Sequence, residues 1–429
     1  MVAALWIVFL VGGAIGIPLA FVMGGSGLVA LLVEGKLSLM SVPQRFFNGI
    51  NSFPLMAVPF FILAADLMSA SAITSSILRF TNTLVGHIRG GLGHVAVLSE
   101  MVFSGISGSA LADAAGPGAV MMRMMQRAGY EPHYSAAFVA ATAVLGPLIP
   151  PSIIAIVYAM ADSRVTVAGL FMAGVVPGIL VGGVLAITNY VISVRHGFKY
   201  TSRKASWGDR LRSLWKAAPA LTMPLIIFGG ILSGIFTVTE AAAVAVFYAL
   251  FVGFFITRKL NFRIIMKVFL QGGLVSSAAL LIVAMASLFS WLLTILQLPQ
   301  TVALTIGKVT TSPMVVMWLV ALFVFICGKF LDVLPAVIIL VPVLAPLTDQ
   351  FHIDPLYFAN CFILNISICL VTPPVAGVLF VITSISRLKF ERISRAILPM
   401  VLAELVVLVL VILFPALSVT FPGWLGFTH

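Results

Sequence analysis

Gly146-Pro147-Leu148-Ile149-Pro150-Pro151-Ser152 and Val371-Thr372-Pro373-Pro374-Val375 each set a proline pair inside an apolar stretch. A proline within a helix removes a backbone donor and clashes with the preceding turn, so each pair predicts an interrupted helix. The break frees carbonyl oxygens on one side and amide groups on the other. The two pairs are 223 residues apart, and the same shift carries Glu131-Pro132-His133-Tyr134 onto Asp354-Pro355-Leu356-Tyr357 and Gly105 onto Gly328. Several matches at one offset indicate a duplicated multi-helix unit rather than a short solenoid repeat.

The surrounding composition says what is duplicated. Of 429 residues, 61% are hydrophobic and only 9% charged, against about 25% charged in soluble domains. Several apolar runs exceed the roughly 18 residues that mark a spanning helix. They are continuous rather than alternating, which favours helices over a β-barrel. The chain is apolar from its second residue and lacks a basic leader region, so the first segment reads as retained. The net charge of +11 reads as basic cytoplasmic loops rather than a nucleic-acid surface. Cys327, Cys361 and Cys369 lack metal-ligand spacing and read as packing residues.

Loop charges orient the two copies. Arg123 and Arg127 in the first copy correspond to Asp349, His352 and Asp354 in the second. Conversely, Asp162 and Arg164 correspond to a loop with Arg387, Lys389, Arg392 and Arg395, and Glu34 and Lys36 to one with Arg258, Lys259, Arg263 and Lys267. Basic loops stay cytoplasmic, so the copies are expected in opposite orientations. The first repeat covers 1–194, a basic cytoplasmic linker 195–216, and the second repeat 217–429. Spans are expected near 53–79, 132–161, 167–194, 217–236, 238–257, 268–298, 355–384 and 396–415. Residues 1–33 form two short crossings around Gly24-Gly25-Ser26-Gly27, or one long helix. Five crossings per half place both termini on the outer side.

Two segments do not read as simple crossings. Residues 91–123 are interrupted by Ser104-Gly105-Ile106-Ser107-Gly108-Ser109, and 314–348 by Gly328-Lys329-Phe330-Leu331-Asp332. Each reads as a re-entrant helical hairpin, whose irregular backbone must be surrounded by protein or a water-filled cavity. With the broken helices 132–161 and 355–384, they are matching interruptions in two inverted halves. Such matching is the sequence pointer to a secondary transporter's binding site.

The residue types suit that task. Ser104, Ser107 and Ser109 supply hydroxyls, Gly105 and Gly108 permit close backbone approach, and Thr372 offers an oxygen at the second break. Thr142 and Asn365 occupy equivalent positions two turns before their breaks. Free carbonyls can coordinate Na⁺, and free amides at a helix start can receive a carboxylate. Asp66, Glu100, Asp113, Glu240, Lys329, Asp332 and Glu404 are charges in apolar contexts, and such residues are often functional. Glu240 reads as a helix cap. Lys329 either pairs with Asp332 or leaves it free to bind sodium.

Gly105-Ile106-Ser107-Gly108 also fits the GxSG pattern of rhomboid-type intramembrane serine proteases. None of the six histidines lies in that family's context, no His-Glu-x-x-His occurs, and no enzyme is expected. The absence of a Gly-x-x-x-x-Gly-Lys-Ser/Thr segment disfavours a primary pump. A channel is less favoured than a carrier by the duplicated breaks.

The stretches Ser104–Gly116, Gly146–Ser152, Gly234–Ala243 and Val371–Pro374 together resemble the large membrane subunit of tripartite ATP-independent periplasmic (TRAP) transporters, along essentially the whole chain. Val238 stands where many members have proline. The resemblance implies an all-α polytopic membrane protein of two inverted-topology repeats, an elevator-type carrier of the ion transporter superfamily in the bacterial inner membrane. It implies Na⁺ as coupling ion with no other cofactor. It further implies a separate small four-helix membrane subunit and a periplasmic substrate-binding protein. Sialic acids or C4-dicarboxylates are the expected organic acid substrates. Carried onto this sequence, the first sodium site comprises Ser104, Gly105, Ser107 and Gly108 with Gly146, Ile149 and Pro150. The second comprises Gly328, Phe330, Asp332 and Thr372. Substrate is expected near Ser107, Ser109, Thr142, Asn365, Thr372 and Pro373. The alternative within the superfamily is a symporter that works without a binding protein.

Overall fold

The computed structural model describes residues 1–35, 37–198, 204–374 and 376–427. Lys36, residues 199–203 of the basic linker, Val375 of the second break and residues 428–429 lie outside them. The described residues form helices and no strand, which is how a backbone satisfies its own hydrogen bonds in hydrocarbon. Among them, five helices are individually long and apolar enough to cross a bilayer, and two further bent pairs pass the same test.

The chain opens with α1 (Val2–Ala14) and α2 (Leu19–Glu34), which pack on each other. The break falls at 15–18 rather than at Gly24–Gly27. Gly16 takes a positive φ, and Pro18 can supply no backbone donor. Gly24 and Gly27 instead sit within α2, where a Cβ would strike Met285 and Leu288. They serve close helix packing, as small residues commonly do in membranes.

Next come α3 (Ser41–Ile50), α4 (Ala57–Ala70) and α5 (Thr74–Val85). The expected span 53–79 is therefore two helices, divided at 71–73, where Ala72 has a positive φ. The helical stretch Pro54–Ala70, of which α4 is the main part, meets α3 at a bend of 62°.

Helix α6 (Gly91–Ser107) turns at Gly108 into α7, the helical stretch 110–127 with a wide turn at 114–118. Then α8 (Pro132–Thr142) and α9 (Ile153–Ala161) flank the first proline pair. Helix α10 (Val167–His196) ends the first half, and α11 (Trp207–Leu232) starts inside the expected linker. Ser206 caps α11 by accepting from Asp209 N at 3.1 Å, which explains the early start.

Helix α12 (Val238–Phe251) begins with a reciprocal cap. Thr237 N donates to Glu240 Oε2 at 2.8 Å and Glu240 N donates to Thr237 Oγ1 at 3.3 Å, the role expected of Glu240. After α13 (Phe262–Ile295) and α14 (Leu298–Val309), α15 (Pro313–Cys327) and α16 (Val333–Leu344) flank Gly328–Asp332. The continuation of α16 to Gln350 gives a stretch of 18 residues, itself one of the five long apolar helices. Then α17 (Pro355–Cys369) and α18 (Gly377–Ser386) flank the second proline pair. The chain closes with α19 (Phe390–Ala396), α20 (Leu398–Leu413) and α21 (Ala416–Trp424).

Packing repeats with the sequence. In each half the first hairpin arm lies on the first arm of the broken helix: α6 on α8, and α15 on α17. The second arm of each broken helix reaches the hairpin of the other half: α9 packs on α16, and α18 on α7. The two halves therefore interlock through their interrupted elements, while α2, α3 and α4 pack on α13.

A polar clamp joins the halves at one edge. Arg164 donates from Nε to Asp162 Oδ1 at 2.7 Å and from Nη1 to Asp349 Oδ2 at 2.6 Å and Thr348 Oγ1 at 3.0 Å. Asp162 is buried and its Oδ2 has no hydrogen-bond partner among the described residues. Arg164→Ala removes the only cation salt-bridged to it there. We expect a loss of about 2 kcal/mol, the scale of hydrogen bonds to charged groups, read as earlier thermal unfolding of the detergent-purified protein than in an Arg79→Ala control.

Candidate functional site

The first hairpin turns on a residue that only glycine suits. Gly108 has φ +63, and a Cβ on it would overlap the Pro151 carbonyl oxygen. The absent side chain lets the tip lie directly on the broken helix, and Ile153 N donates to Gly108 O at 3.4 Å. Gly146 provides the matching approach from the other side: a Cβ there would fall 2.9 Å from Ala110 N and 2.9 Å from Asp113 Oδ2. Ser152 fixes the far side of the break. It donates to Pro147 O at 2.6 Å and accepts from Ala155 N at 3.1 Å, capping α9. Both Pro150-Pro151 and Pro373-Pro374 are cis.

This contact brings Ser107, Gly108, Ser109 and Gly146 together beside Pro151, while Pro150 O lies 3.8 Å from where a Cβ on Gly105 would sit. Ser107 Oγ donates to Asp113 Oδ1 at 2.5 Å, and Ser109 N donates to Ser107 Oγ at 3.4 Å. Asp113 is 2% exposed and its Oδ2 has no hydrogen-bond partner among the described residues. Glu100 is buried beside it, with Oε1 likewise unpartnered. No salt bridge reaches either carboxylate among those residues. A hydroxyl, a pair of adjoining carboxyl groups and nearby backbone carbonyls, enclosed without a basic side chain among the described residues, are oxygen donors of the kind a hard cation takes. Ser107 donates to a carboxylate and not to a histidine, unlike the nucleophile of a serine protease.

Three expected members stand apart. Ser104 Oγ donates up its own helix to Glu100 O at 2.8 Å. Gly105 faces α11, where a Cβ would meet Pro224 at 3.1 Å. Ile149 packs against Gly178 of α10.

The second tip is built differently. Asp332 caps α16, its Oδ1 accepting from Val333 N at 2.9 Å. Lys329 turns away, its Nζ lying 4.5 Å over the Phe325 ring. Among the described residues no ion pair joins it to Asp332. Gly328 packs on Cys369, whose Sγ would lie 2.7 Å from an added Cβ, and Phe330 is 67% exposed. Thr372 Oγ1 donates to Ile368 O at 2.8 Å. Thr142 does the same to Val139 O at 2.9 Å, whereas Asn365 Nδ2 reaches across to Ala321 O at 2.7 Å and holds α17 to α15.

Both tips border one cavity of about 640 Å³. Ser107, Gly108 and Ser109 line it from the first hairpin, Asp332 and Val333 from the second, and Pro147 and Ile153 from the break. The opposite wall is α4 and α13, and it carries Asp66 and Gln271. A neighbouring cavity of about 290 Å³ has Ser107 and Asp113 on one side and Asp66 and Ser69 on the other. Thr142, Asn365, Thr372 and Pro373 line neither cavity. Asp113, Asp66 and Gln271 are the site residues that sequence reading left unassigned. Two of them carried a signal, as isolated charges in apolar helices.

Comparison with known proteins places this geometry. The family described as "Tripartite ATP-independent periplasmic transporter, DctM component" matches residues 6–417. The chain is 36% identical over 421 residues to the 2,3-diketo-L-gulonate TRAP transporter large permease protein YiaN of Escherichia coli, covering 97% of this chain and 98% of YiaN. It is 35% identical over 407 residues to the sialic acid TRAP transporter large permease protein SiaM of Vibrio cholerae, covering 95% of each. Among solved structures, the Alcanivorax borkumensis YdaH transporter shares the fold with a TM-score of 0.66, at 16% identity over 90% of this chain and 88% of that one. Interrupted helices meeting around a cavity, in a chain matched nearly end to end by large permeases, identify a multi-pass membrane transporter that belongs to the TRAP family as its DctM component.

Proposed function

We propose that this large permease carries out Na⁺-coupled secondary uptake of an organic acid handed over by a periplasmic binding protein. The observation that carries the coupling is the enclosed Asp113 carboxylate against Ser107 and the Gly146–Pro151 break, with no cation paired to it among the described residues. Asp332 at the second tip is the corresponding charge for a second ion, supported by a Lys329 that leaves it unpaired. The substrate occupies the cavity between the tips and the α4–α13 wall. A sialic acid, the acid in SiaM's name, or a C4-dicarboxylate, the acid in the name of another relative, suits it.

The hairpins and broken helices move together as an elevator against the remaining helices, in two inverted repeats. Their interlocking, α9 on α16 and α18 on α7, supports such a unit. The partners are a separate small four-helix subunit and the binding protein, in the bacterial inner membrane with both termini periplasmic. Two Na⁺ carried with a monocarboxylate move one net charge inward, which gains about 2.3 kcal/mol per 100 mV.

Alanine at Ser107 and at Thr372 tests the site separately. Ser107→Ala is expected to raise the Na⁺ concentration for half-maximal uptake roughly tenfold, as one charge-assisted hydrogen bond is lost. Thr372→Ala should have a smaller effect, since its hydroxyl is committed to Ile368 O. Unchanged Na⁺ dependence in Ser107→Ala would remove that serine from the ion site.

A further inference from the structure

The α4–α13 wall of the cavity carries chemistry that no step above uses. Asp66 lines both cavities, and its Oδ2 lies 3.6 Å from where a Cβ on Gly272 would sit. The carboxylate is thus held against α13, next to Gln271, which is exposed at the rim. Asp66 is in neither a hydrogen bond nor an ion pair among the described residues. An unpaired carboxylate in an apolar helix is costly, and a polar ligand is the natural recipient of its lone pairs.

Opposite Asp66 stand the starts of three helices, at Ala110, Ile153 and Val333. Ile153 N and Val333 N are committed to Gly108 O and Asp332 Oδ1, and the Ser107 hydroxyl to Asp113, so that side offers a carboxylate the Ser109 hydroxyl and the remaining first-turn amides. The Asp66 side presents a carboxylate, whose oxygens accept hydrogen bonds. An acid bound with its carboxylate at the tips therefore turns its far end towards Asp66. Hydroxyl or amide N–H groups there are recognised, and a second carboxylate is repelled by Asp66.

Given uptake of an organic acid through this cavity, on which the inference rests, we propose that Asp66 is a specificity-determining residue that selects a polyhydroxylated monocarboxylate, such as a sugar acid, over a dicarboxylate.

The test uses vesicles carrying the large and small permease together with their binding protein, and compares Na⁺-driven uptake of sialic acid, gluconate and succinate. The wild type is expected to prefer one of the two hydroxylated acids to succinate. Asp66→Asn is expected to shift the ratio of that acid to succinate towards succinate by at least about tenfold, and Asp66→Glu to restore most of the ratio. A ratio does not depend on how much protein folds. Asp66→Asn uptake that retains the wild-type ratio overturns the proposal. So does wild-type uptake that favours succinate, which would leave Na⁺-coupled transport standing. If Asp66→Asn instead lost Na⁺ dependence for every acid, the residue would belong to the ion site and the specificity role would fall. Absence of Na⁺-driven uptake for all three acids would remove the transport reading and this inference with it.

Discussion

Asp113→Asn should raise the Na⁺ requirement of uptake by about a hundredfold. The substitution keeps the shape of the side chain and an oxygen that can accept from Ser107, so the tip is expected to fold. What it removes is the charge. Asp113 is enclosed, its Oδ2 has no hydrogen-bond partner among the described residues, and it lies against the Gly146 backbone. Taking one member from a buried charge pair typically costs about 3 kcal/mol, which is about two decades of affinity. The effect should appear equally when Na⁺ protection against thermal unfolding is titrated in detergent, a readout that needs neither substrate nor binding protein. A variant whose half-saturating Na⁺ matches the wild type in both assays would take Asp113 out of the ion site.

Gly108→Val should abolish transport altogether. Two penalties coincide at this residue. Its φ of +63 is strained for any side chain and worst for a β-branched one. The added Cβ also meets the Pro151 carbonyl, a backbone atom that cannot swing aside. Together these exceed about 3 kcal/mol, and relief requires the tip to leave the break, which dismantles the Ser107–Asp113 pocket. Gly183→Val is the control, since nothing lies within 4 Å of a Cβ there. Thermal unfolding and uptake should both separate the two variants. Wild-type behaviour in Gly108→Val would mean that the tip and break do not depend on this contact.

The parts of this site that were legible in the sequence are those encoded by backbone chemistry. Pro150-Pro151 and Pro373-Pro374 announce helix breaks because proline cannot donate, and Gly108 announces a turn because φ is free there. These constraints are local, so a fixed offset between two copies makes them visible without coordinates. The same reasoning offered a break at Gly24-Gly25-Ser26-Gly27, or one long helix, and the break falls instead between Ala14 and Leu19. In a membrane helix small residues also serve to bring helices close, and local sequence does not distinguish the two uses. Met285 and Leu288 on α13, which fill the space beside Gly24 and Gly27, lie more than 250 residues away.

Side-chain direction was the least legible part. Thr142 and Asn365 sit at equivalent positions, yet one bonds its own helix and the other a neighbouring one, and neither reaches the cavities. Asp66, Gln271 and Asp113 face the cavities because α4, α13 and α7 are rotated by packing across the whole chain. Periodicity cannot supply that rotation in helices that are apolar nearly all round. The capping role of Glu240 was readable for the opposite reason: Thr237 and Glu240 are one turn apart, and their reciprocal bonds need nothing distant.

The coupling mechanism is tested most directly by uptake of a labelled acid into liposomes that hold the large and small permeases, with the binding protein outside. An inward Na⁺ gradient and an inside-negative potential are imposed separately and together. The expected result is uptake that requires Na⁺ and binding protein and rises further when the interior is made negative. Uptake indifferent to both Na⁺ and potential, or an uncoupled ionic current through the purified protein, would contradict it.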